Sequence, residues 1–370
     1  MSGLATRLYR GDAGLQIVGR RKLWFGVAGG VLLIAILALS LIGFKPGIEF
    51  EGGNEFTVPT SAGTLVQVET AVNEAIEAVA PGTEVQPATQ IGQGIYAVRS
   101  AVLEQAQTLE VKEKVAAALK IDAGTVSDNR VSPAWGEQVT EQALIGLVIF
   151  IAVVSVYLIF RFEWRMAAAA VASLVFDLAF TAAVYALVGF EVTPSTVIGF
   201  LTILGYALYD VVVVFDKVQE NTRGITGSST TTYGEAANLA VNQTLMRSIN
   251  TGLVALLPVG GLLFIGAGLL GAGTLKDLGL VLFIGMGTAI YSSLFFATPV
   301  LVWLKEMDPK IANHTQRVLA RRNAPAKAAA SDLPAQPVAV GAGTAAPKAG
   351  AKPAGAKSGR PAGRPAGKRR

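Results

Sequence analysis

The sequence predicts an α-helical membrane protein with six transmembrane helices and one small extracytoplasmic α+β domain. Three observations indicate this architecture. Only 15% of the 370 residues are charged and the mean hydropathy is +0.49, which is typical of a membrane protein. Six apolar runs come close to or exceed the roughly 20 residues that a helix needs to cross a bilayer. Between the first two runs lies a stretch in which apolar and polar residues recur at the spacings of strands and helices, as in a folded soluble domain.

The composition excludes several classes of site. The chain has no cysteine, so disulfides and cysteine-based metal sites are excluded. Its one histidine, His314, follows the last apolar run, which excludes a histidine-rich zinc site or a serine–histidine triad in the core. No G-x-x-x-x-G-K-[ST] nucleotide loop is present, and we expect no cofactor. The net charge of +5 lies largely in the tail, which favours an anionic membrane surface over nucleic acid as its partner.

The first apolar run, residues 23–44, follows a segment, residues 1–22, that we expect to be cytoplasmic. Arg20, Arg21 and Lys22 directly precede the run, so it is similar to a signal peptide with a cleavage site at residues 38–40. The run is longer than a usual signal core and continues past that site. We therefore predict an uncleaved anchor helix.

Residues 45–138 are predicted to form the extracytoplasmic α+β domain. "GIEFEGGNEFTV" alternates apolar and polar residues as a half-buried strand does, and "EVQPAT", "GIYAVRS" and "TVSDNRV" are further strand candidates. Apolar residues at helical spacing indicate two helices, with Leu65, Val68, Val72, Ile76 and Val79 in the first and Val111, Val115, Ala118 and Leu119 in the second. The order βαββαβ is that of the ferredoxin-like unit. Because it contains no nucleophile motif, we expect a docking module without enzyme chemistry.

Residues 139–305 are predicted to hold transmembrane helices 2 to 6. The five apolar runs are residues 143–160, 166–188, 194–214, 246–267 and 278–304. The short links "GFEVT" and "GAGLLGAGTLKD" suit antiparallel hairpins. Basic residues flank alternate ends of the runs, which places both termini in the cytoplasm.

The C-terminal region, residues 306–370, is predicted to be a basic, disordered cytoplasmic tail. From about residue 323 it consists mainly of Ala, Pro, Gly, Lys and Arg, which cannot form a buried core. Its charge would allow contact with anionic lipid or ribosomal RNA, but a solubilising tail that also fixes the topology is the simpler interpretation.

Three ionisable residues fall inside the apolar runs. Asp177 is near the middle of the third run, and Arg247 is at the cytoplasmic start of the fifth. Asp210, in "GYALYDVVVVFDK", lies about 9 Å to the cytoplasmic side of the middle of the fourth run. Because the fourth and fifth helices run in opposite directions, Asp210 and Arg247 should share a depth and could face each other. Tyr209 and Asn250 are the supporting polar residues nearby.

An unpaired carboxylate at this depth costs about 2.5–3.5 kcal/mol. Loss of water favours its protonated form, whereas a nearby arginine favours the charged form, so such a group can take up and release protons as water access changes. Structural interpretations remain open for each residue. Asp177 could form a hydrogen bond between helices, Arg247 could extend to the cytoplasmic interface, and Asp210 could belong to a fixed ion pair.

Five motifs occur in the order and topology of one known family. "GIEFEGG", with Gly47, Glu49, Gly52 and Gly53, is similar to G-I-D-F-x-G-G with glutamate in place of aspartate. The others are "RFEWR", "GYALYDVVVVFDKVQEN", "NQTLMRSINT" and "GTAIYSSLFFATPVLVWL". Over residues 20–305 the chain therefore resembles the SecF family. Ala207, Tyr209 and Val211 replace polar residues of the family, so Asp210 should have fewer local partners than its counterparts.

The resemblance implies half of an RND-type helical bundle without enzyme activity, in a bacterial plasma membrane. It implies a SecD-like partner subunit, the SecYEG channel, the accessory proteins YajC and YidC, membrane lipids, and a translocating polypeptide as substrate. The proton-motive force would promote late steps of translocation, with Asp210, Arg247 and Asp177 in the family's intramembrane positions. The α+β domain would then work with the larger domain of SecD as the moving part.

Three other interpretations share some of these features. A half-transporter of the RND type that exports a small molecule or lipid would have the same spans and acids. However, the α+β domain is small and lacks the paired large domains of an efflux pump. An intramembrane aspartyl protease would use Asp177 and Asp210 as its acid–base pair, yet neither lies in a G-x-G-D context. A passive scaffold would leave the cost of burying Asp210 unexplained.

Overall fold

The computed structural model describes residues 14–92, 94–269 and 273–331. The predicted N-terminal segment up to residue 13 and the tail beyond residue 331 lie outside these residues. In chain order, the helices are α1 (Arg21–Leu41), α2 (Ile48–Glu51), α3 (Leu65–Val79), α4 (Gln105–Leu119), α5 (Pro133–Arg161), α6 (Trp164–Val188), α7 (Pro194–Asn221), α8 (Tyr233–Gly260), α9 (Gly273–Ser292), α10 (Thr298–Glu306) and α11 (Pro309–Ser331). The strands are β1 (Lys45–Pro46), β2 (Gly53–Pro59), β3 (Thr89–Ile91), β4 (Ile95–Ser100), β5 (Ser127–Val131) and β6 (Glu191–Val192).

Within the described residues, six helical segments are long and apolar enough to cross a membrane, as the sequence predicts. They are Val18–Leu41, Pro133–Arg161, Trp164–Val188, Pro194–Gly227, Tyr233–Leu269 and Leu275–Glu306. The second and fifth begin well before their apolar cores because capping residues start each helix early. Ser132 accepts a hydrogen bond from the backbone of Trp135, and Thr232 forms a capping box with Glu235.

The α+β domain has the predicted βαββαβ order. Its sheet is ordered β3-β4-β2-β5, with every neighbouring pair antiparallel, which is the ferredoxin-like arrangement. Helices α3 and α4 pack on one face, and their core includes Phe56, Val58, Val72, Val98 and Val115. This hydrophobic burial holds the small domain together.

Several details of the domain differ from the prediction. Residues 48–51 form helix α2, so the first strand begins only at Gly53, after a turn that the alternating pattern concealed. The second strand lies at Thr89–Ile91, after the proline in "EVQPAT", because proline cannot donate to a sheet ladder. In α4, Ala116 is buried and Ala118 is exposed.

The spanning helices pack closely where glycines remove side chains. A Cβ atom on Gly199 of α7 would lie 2.1 Å from Val281 of α9, and one on Gly285 of α9 would lie 2.1 Å from Ile203 of α7. These reciprocal contacts explain the dense glycines of the apolar runs, because small residues allow helices to approach. Two π-helical segments interrupt the α-helical pattern, at Gly261–Leu269 after α8 and at Ser293–Ala297 between α9 and α10.

We call the end of the bundle that holds residues 14–20 and 306–322 the terminal end. Ion pairs connect its helices: Arg21–Glu306, Arg161–Asp216, Arg165–Asp308, Lys305–Glu163 and Arg322–Glu235. Residues 309–331 form helix α11, where we predicted a disordered tail. The helix forms because residues three or four apart along its sequence share one face that packs on the bundle. His314 and Val318 on this face are buried. The His314 Nε2 atom lies 2.8 Å from the Ser228 carbonyl oxygen.

Candidate functional site

Asp210 lies inside the bundle on α7, with only 3% of its surface exposed. The Ser248 hydroxyl of α8 donates a hydrogen bond to its Oδ1 atom at 2.8 Å. The Ser293 hydroxyl donates to its Oδ2 atom. Three helical segments therefore converge on one carboxylate, and both of its oxygens are satisfied. Hydrogen bonds from neutral donors to an ionised acceptor are among the stronger ones in proteins.

Ser293 reaches the carboxylate from the first residue of the π-helical segment between α9 and α10. A π turn holds one more residue than an α turn and often marks a functional site. The same hydroxyl also lies 3.2 Å from the carbonyl oxygen of Ile290, one turn earlier. Ser293 thus has a second acceptor within its own helix if Asp210 stops accepting.

The structure corrects the predicted pairing of Asp210 with Arg247. Arg247 is exposed, and its Nη2 atom donates to the Tyr209 hydroxyl across 3.5 Å. Successive residues of a helix are 100° apart, and the face of α8 that meets Asp210 carries Ser248 instead. Tyr209 is 52% exposed and points away from Asp210, as predicted, whereas Asn250 is exposed and does not face the carboxylate.

Asp177 on α6 is completely buried in the same region. Ser292 faces it, and it interacts electrostatically with Asp210. Yet neither oxygen of its carboxylate accepts a hydrogen bond from any residue in the described ranges. The Ser292 hydroxyl instead donates to the Ala289 carbonyl at 3.2 Å. Ser173, one turn before Asp177, is also buried, and its hydroxyl has no partner among the described residues.

These residues form what we call the polar cluster: Ser173, Asp177, Asp210, Ser248, Ser292 and Ser293. Adjacent serines connect its two acids, since Ser292 faces Asp177 and Ser293 bonds to Asp210. Sequence reasoning singled out both acids but missed the serines. The available signal was "YSSL", two hydroxyl residues side by side in an apolar run. The buried Ala207 and Val211 pack in the core, so hydroxyls from other helices take the place of local ones.

The glycine-rich motif shapes the connection between α1 and the α+β domain. Gly52 has a φ of +79°, and a Cβ atom there would lie 2.8 Å from the backbone nitrogen of Pro133. A Cβ atom on Gly53 would lie 2.6 Å from the carbonyl oxygen of Ser100. The Gly47 amide donates to the Val192 carbonyl at 2.8 Å. The Oε2 atom of Glu49 is buried, with no partner in the part of the chain that the structure describes.

No group of three or more His, Asp or Glu residues in the described ranges could hold a metal ion. The site is therefore defined by two buried acids and by hydroxyls. This chemistry can bind, hold and release protons, and the geometry supplies two different environments for the two carboxylates.

The comparisons with known proteins agree on one family. Residues 110–307 match the model of the family described as "Protein export membrane protein SecD/SecF, C-terminal". The chain is 45% identical over 337 residues to the protein translocase subunit SecF of Mycobacterium tuberculosis, which covers 88% of this chain and 75% of that protein. It is 46% identical over 320 residues to SecF of Streptomyces coelicolor, covering 86% and 84% of the two chains.

Solved structures agree. The crystal structure of SecDF from Thermus thermophilus, a translocon-associated membrane protein, is similar with a TM-score of 0.68 and 30% identity. This similarity covers 79% of the chain but only 39% of SecDF. SecDF in its super-membrane-facing form gives a TM-score of 0.55 at 28% identity, over 85% of this chain and 40% of that one. The family model covers more than half of the 370 residues, and the relatives match most of the chain. The chain is thus a multi-pass membrane protein that belongs to the SecF family of protein translocase subunits.

Proposed function

We propose that the protein acts with a SecD-like subunit and uses the proton-motive force to promote late steps of protein translocation through the SecYEG channel. Its relatives are named protein translocase subunits, which supports a role in protein export. The similarity to SecDF, over about two fifths of that longer chain, supports a SecD partner. We also propose that both termini are cytoplasmic, that the α+β domain lies outside, and that the membrane is the bacterial plasma membrane.

The observation that supports proton use most strongly is the environment of Asp210. Acids inside spanning helices are expensive and are usually functional. Here the bundle brings a second acid, Asp177, into the same polar cluster. Two carboxylates in one dry cluster oppose being charged together, so such a pair suits uptake and release of a proton.

In the proposed mechanism, Asp210 is the proton carrier. When Asp210 is charged, Ser248 and Ser293 hold α8 and the π-helical segment on α7 through hydrogen bonds. Protonation weakens both bonds because the acceptor loses its charge. Ser293 then donates to the Ile290 carbonyl, which already lies 3.2 Å away. The three helices are thereby released from a common point, which allows them to shift.

Arg247 enters this mechanism only after a rearrangement. It follows Leu245 and Met246 on α8 and directly precedes Ser248, the residue that contacts Asp210. A rotation of α8 by about 100° would exchange the serine for the guanidinium. We propose that Arg247 stabilises the charged form of Asp210 in that second arrangement and so favours proton release.

The test is Asp210→Asn in membrane vesicles that carry the full protein with its SecD-like partner and the channel. We expect late-stage translocation to fall to the level found without a proton-motive force, because the amide cannot carry the proton. Asp216→Asn is the matched control, since Asp216 is on the same helix but is paired with Arg161 at the exposed terminal end. Normal force-dependent translocation by Asp210→Asn would refute the proposal.

The joint location of Asp177 and Asp210 also suits an intramembrane aspartyl protease. The names of the relatives argue against this second candidate, as does the absence of a G-x-G-D context. The same vesicles test it directly. Cleavage of membrane-embedded peptides by the wild type, lost in both Asp177→Asn and Asp210→Asn, would favour the protease.

A further inference from the structure

The link between α6 and α7, residues 189–193, is tied to the rest of the chain in an unusual way. Strand β6 in this link pairs in parallel with β1, which directly follows the first spanning helix. The Val192 carbonyl also accepts a hydrogen bond from the Gly47 amide at 2.8 Å. The link joins the helix that carries Asp177 to the helix that carries Asp210. Any displacement of these helices therefore acts on the link.

A side chain of the α+β domain contacts the same link. Arg99 is on strand β4, and its neighbour Val98 points into the domain core, so Arg99 points to the opposite face of the sheet. Its Nε atom donates to Glu55 Oε2 on the neighbouring strand at 2.7 Å. Its Nη1 atom forms an ion pair with Glu191 of the link. One guanidinium thus bridges a carboxylate of the domain and a carboxylate of the link.

This bridge is well shielded for a charged contact. The side chains of Arg99, Glu55 and Glu191 are 12%, 16% and 26% exposed. Burial opposes the charge on Arg99, but the hydrogen bonds and negative charges of Glu191 and Glu55 raise its pKa above its ordinary value. The guanidinium therefore remains charged, and shielding keeps the ion pairs less sensitive to salt than surface pairs are.

The surroundings of the bridge are loosely packed. A cavity of about 370 Å³ separates the open face of the sheet from the link and the start of α9. Its lining includes Thr57 and Ile95 from the sheet and Phe190 and Leu280 from the bundle side. Because this cavity leaves no continuous core between the sheet and the link, individual contacts such as Arg99–Glu191 hold these two surfaces together at this place.

We propose that the Arg99–Glu191 ion pair is a positioning contact that fixes the link between the two acid-bearing helices to the α+β domain. Displacement of α6 and α7 is then transmitted to the domain through this pair and the adjoining β1–β6 backbone bonds. This inference rests on the proposed function, in which proton transfer at Asp210 displaces these helices. Arg99 and Glu191 transmit the displacement that the acids cause and do not handle the proton themselves.

The first experiment measures the position of the domain in the full chain with its partner subunit. The chain has no cysteine, so spin labels can be attached at Leu109→Cys on α4 and Val188→Cys at the end of α6, both exposed. We expect Glu191→Lys to broaden or shift the distance distribution between the labels, because two cations would face each other. Glu55→Gln is the matched control: it removes the partner of Arg99 within the domain and keeps the contact with the link.

A charge exchange guards against simple misfolding. Arg99→Glu combined with Glu191→Arg, in the Glu55→Gln background, should restore the narrow distribution. An unchanged distribution in Glu191→Lys would overturn the proposal, as would a change in Glu55→Gln of equal size.

The second experiment measures translocation in the same vesicles. We expect Glu191→Lys to lower force-dependent translocation several-fold, Glu55→Gln to leave it near the wild type, and the charge exchange to recover most of the loss. The two proposals fail separately. If Asp210→Asn translocates normally, the proton mechanism is wrong although the distances still respond to Glu191→Lys. If Glu191→Lys translocates normally while Asp210→Asn does not, the positioning role is wrong.

Discussion

Asp210 and Asp177 are both buried acids on adjacent spanning helices, yet their surroundings differ sharply. Asp210 accepts hydrogen bonds from two serines on two other helical segments. Asp177 is more deeply buried and accepts none from the residues that the structure describes. Burial alone therefore does not supply a carboxylate with hydrogen-bond partners. The partners depend on which residues the neighbouring helices place at the same depth. A charge on Asp177 is costly in this arrangement, whereas a charge on Asp210 is compensated.

The strongest test of this difference replaces each acid with leucine and measures the free energy of unfolding in detergent micelles. Asp210→Leu should lower it by about 1–3 kcal/mol, because two buried hydroxyls lose their acceptor. Asp177→Leu should raise it by a similar amount, about 1–3 kcal/mol, because an unsatisfied polar group is removed. Changes of the same sign in the two variants would contradict the predicted difference in how the two carboxyl groups contribute to stability.

The serines test the same comparison at smaller scale. Ser248→Ala and Ser293→Ala should each lower the free energy of unfolding by about 1 kcal/mol, the central value for the loss of one hydrogen bond. Ser292→Ala is the matched control, since the Ser292 hydroxyl bonds to a carbonyl of its own helix rather than to Asp210, and its loss should matter much less. In an Asp210→Asn background the cost of Ser293→Ala should shrink, as a double-mutant cycle will reveal. Additive costs would contradict a direct contact.

Arg247 should have the smallest effect on stability. We expect Arg247→Gln to change the free energy of unfolding by no more than about 0.5 kcal/mol, because the side chain is exposed and its hydrogen bond to Tyr209 is long. Translocation should nevertheless fall, since the proposed mechanism needs the guanidinium after α8 rotates. A stability loss as large as that of Ser248→Ala would instead indicate a pairing with Asp210 in the resting arrangement.

Periodicity and length were enough to predict the architecture. Apolar runs gave the six spans, and alternating and helical spacing gave the order of the α+β domain, because both depend on local patterns. Helix starts such as Pro133 and Tyr233 were placed late because capping turns are polar and lie outside the apolar cores. Residues 48–51 were assigned to a strand because a single helical turn leaves no distinct period.

The polar cluster was predictable only in part. Counting residues along a helix gives depth, so the sequence predicted Asp210 and Arg247 at a similar level of two neighbouring helices. Which face meets a neighbour depends on tertiary packing, and one residue of error turns a side chain by 100°. Ser248 therefore occupies the place expected for Arg247. Ser293 could not be found in this way, because its direction depends on a π turn that interrupts the regular period.

That π turn also sets the phase of the last span. The extra residue rotates α10 about the helix axis relative to α9, so the two halves of one span face different neighbours. The first half packs on α7, while Lys305 and Glu306 in the second half meet Glu163 and Arg21 at the terminal end. Removing one residue from the segment would bring the halves back into phase and turn α10 by about 100°. A single deletion in this segment would thus turn the residues that form the ion pairs of the terminal end relative to Ser293, which bonds to the Asp210 carboxylate. None of those residues would itself be replaced.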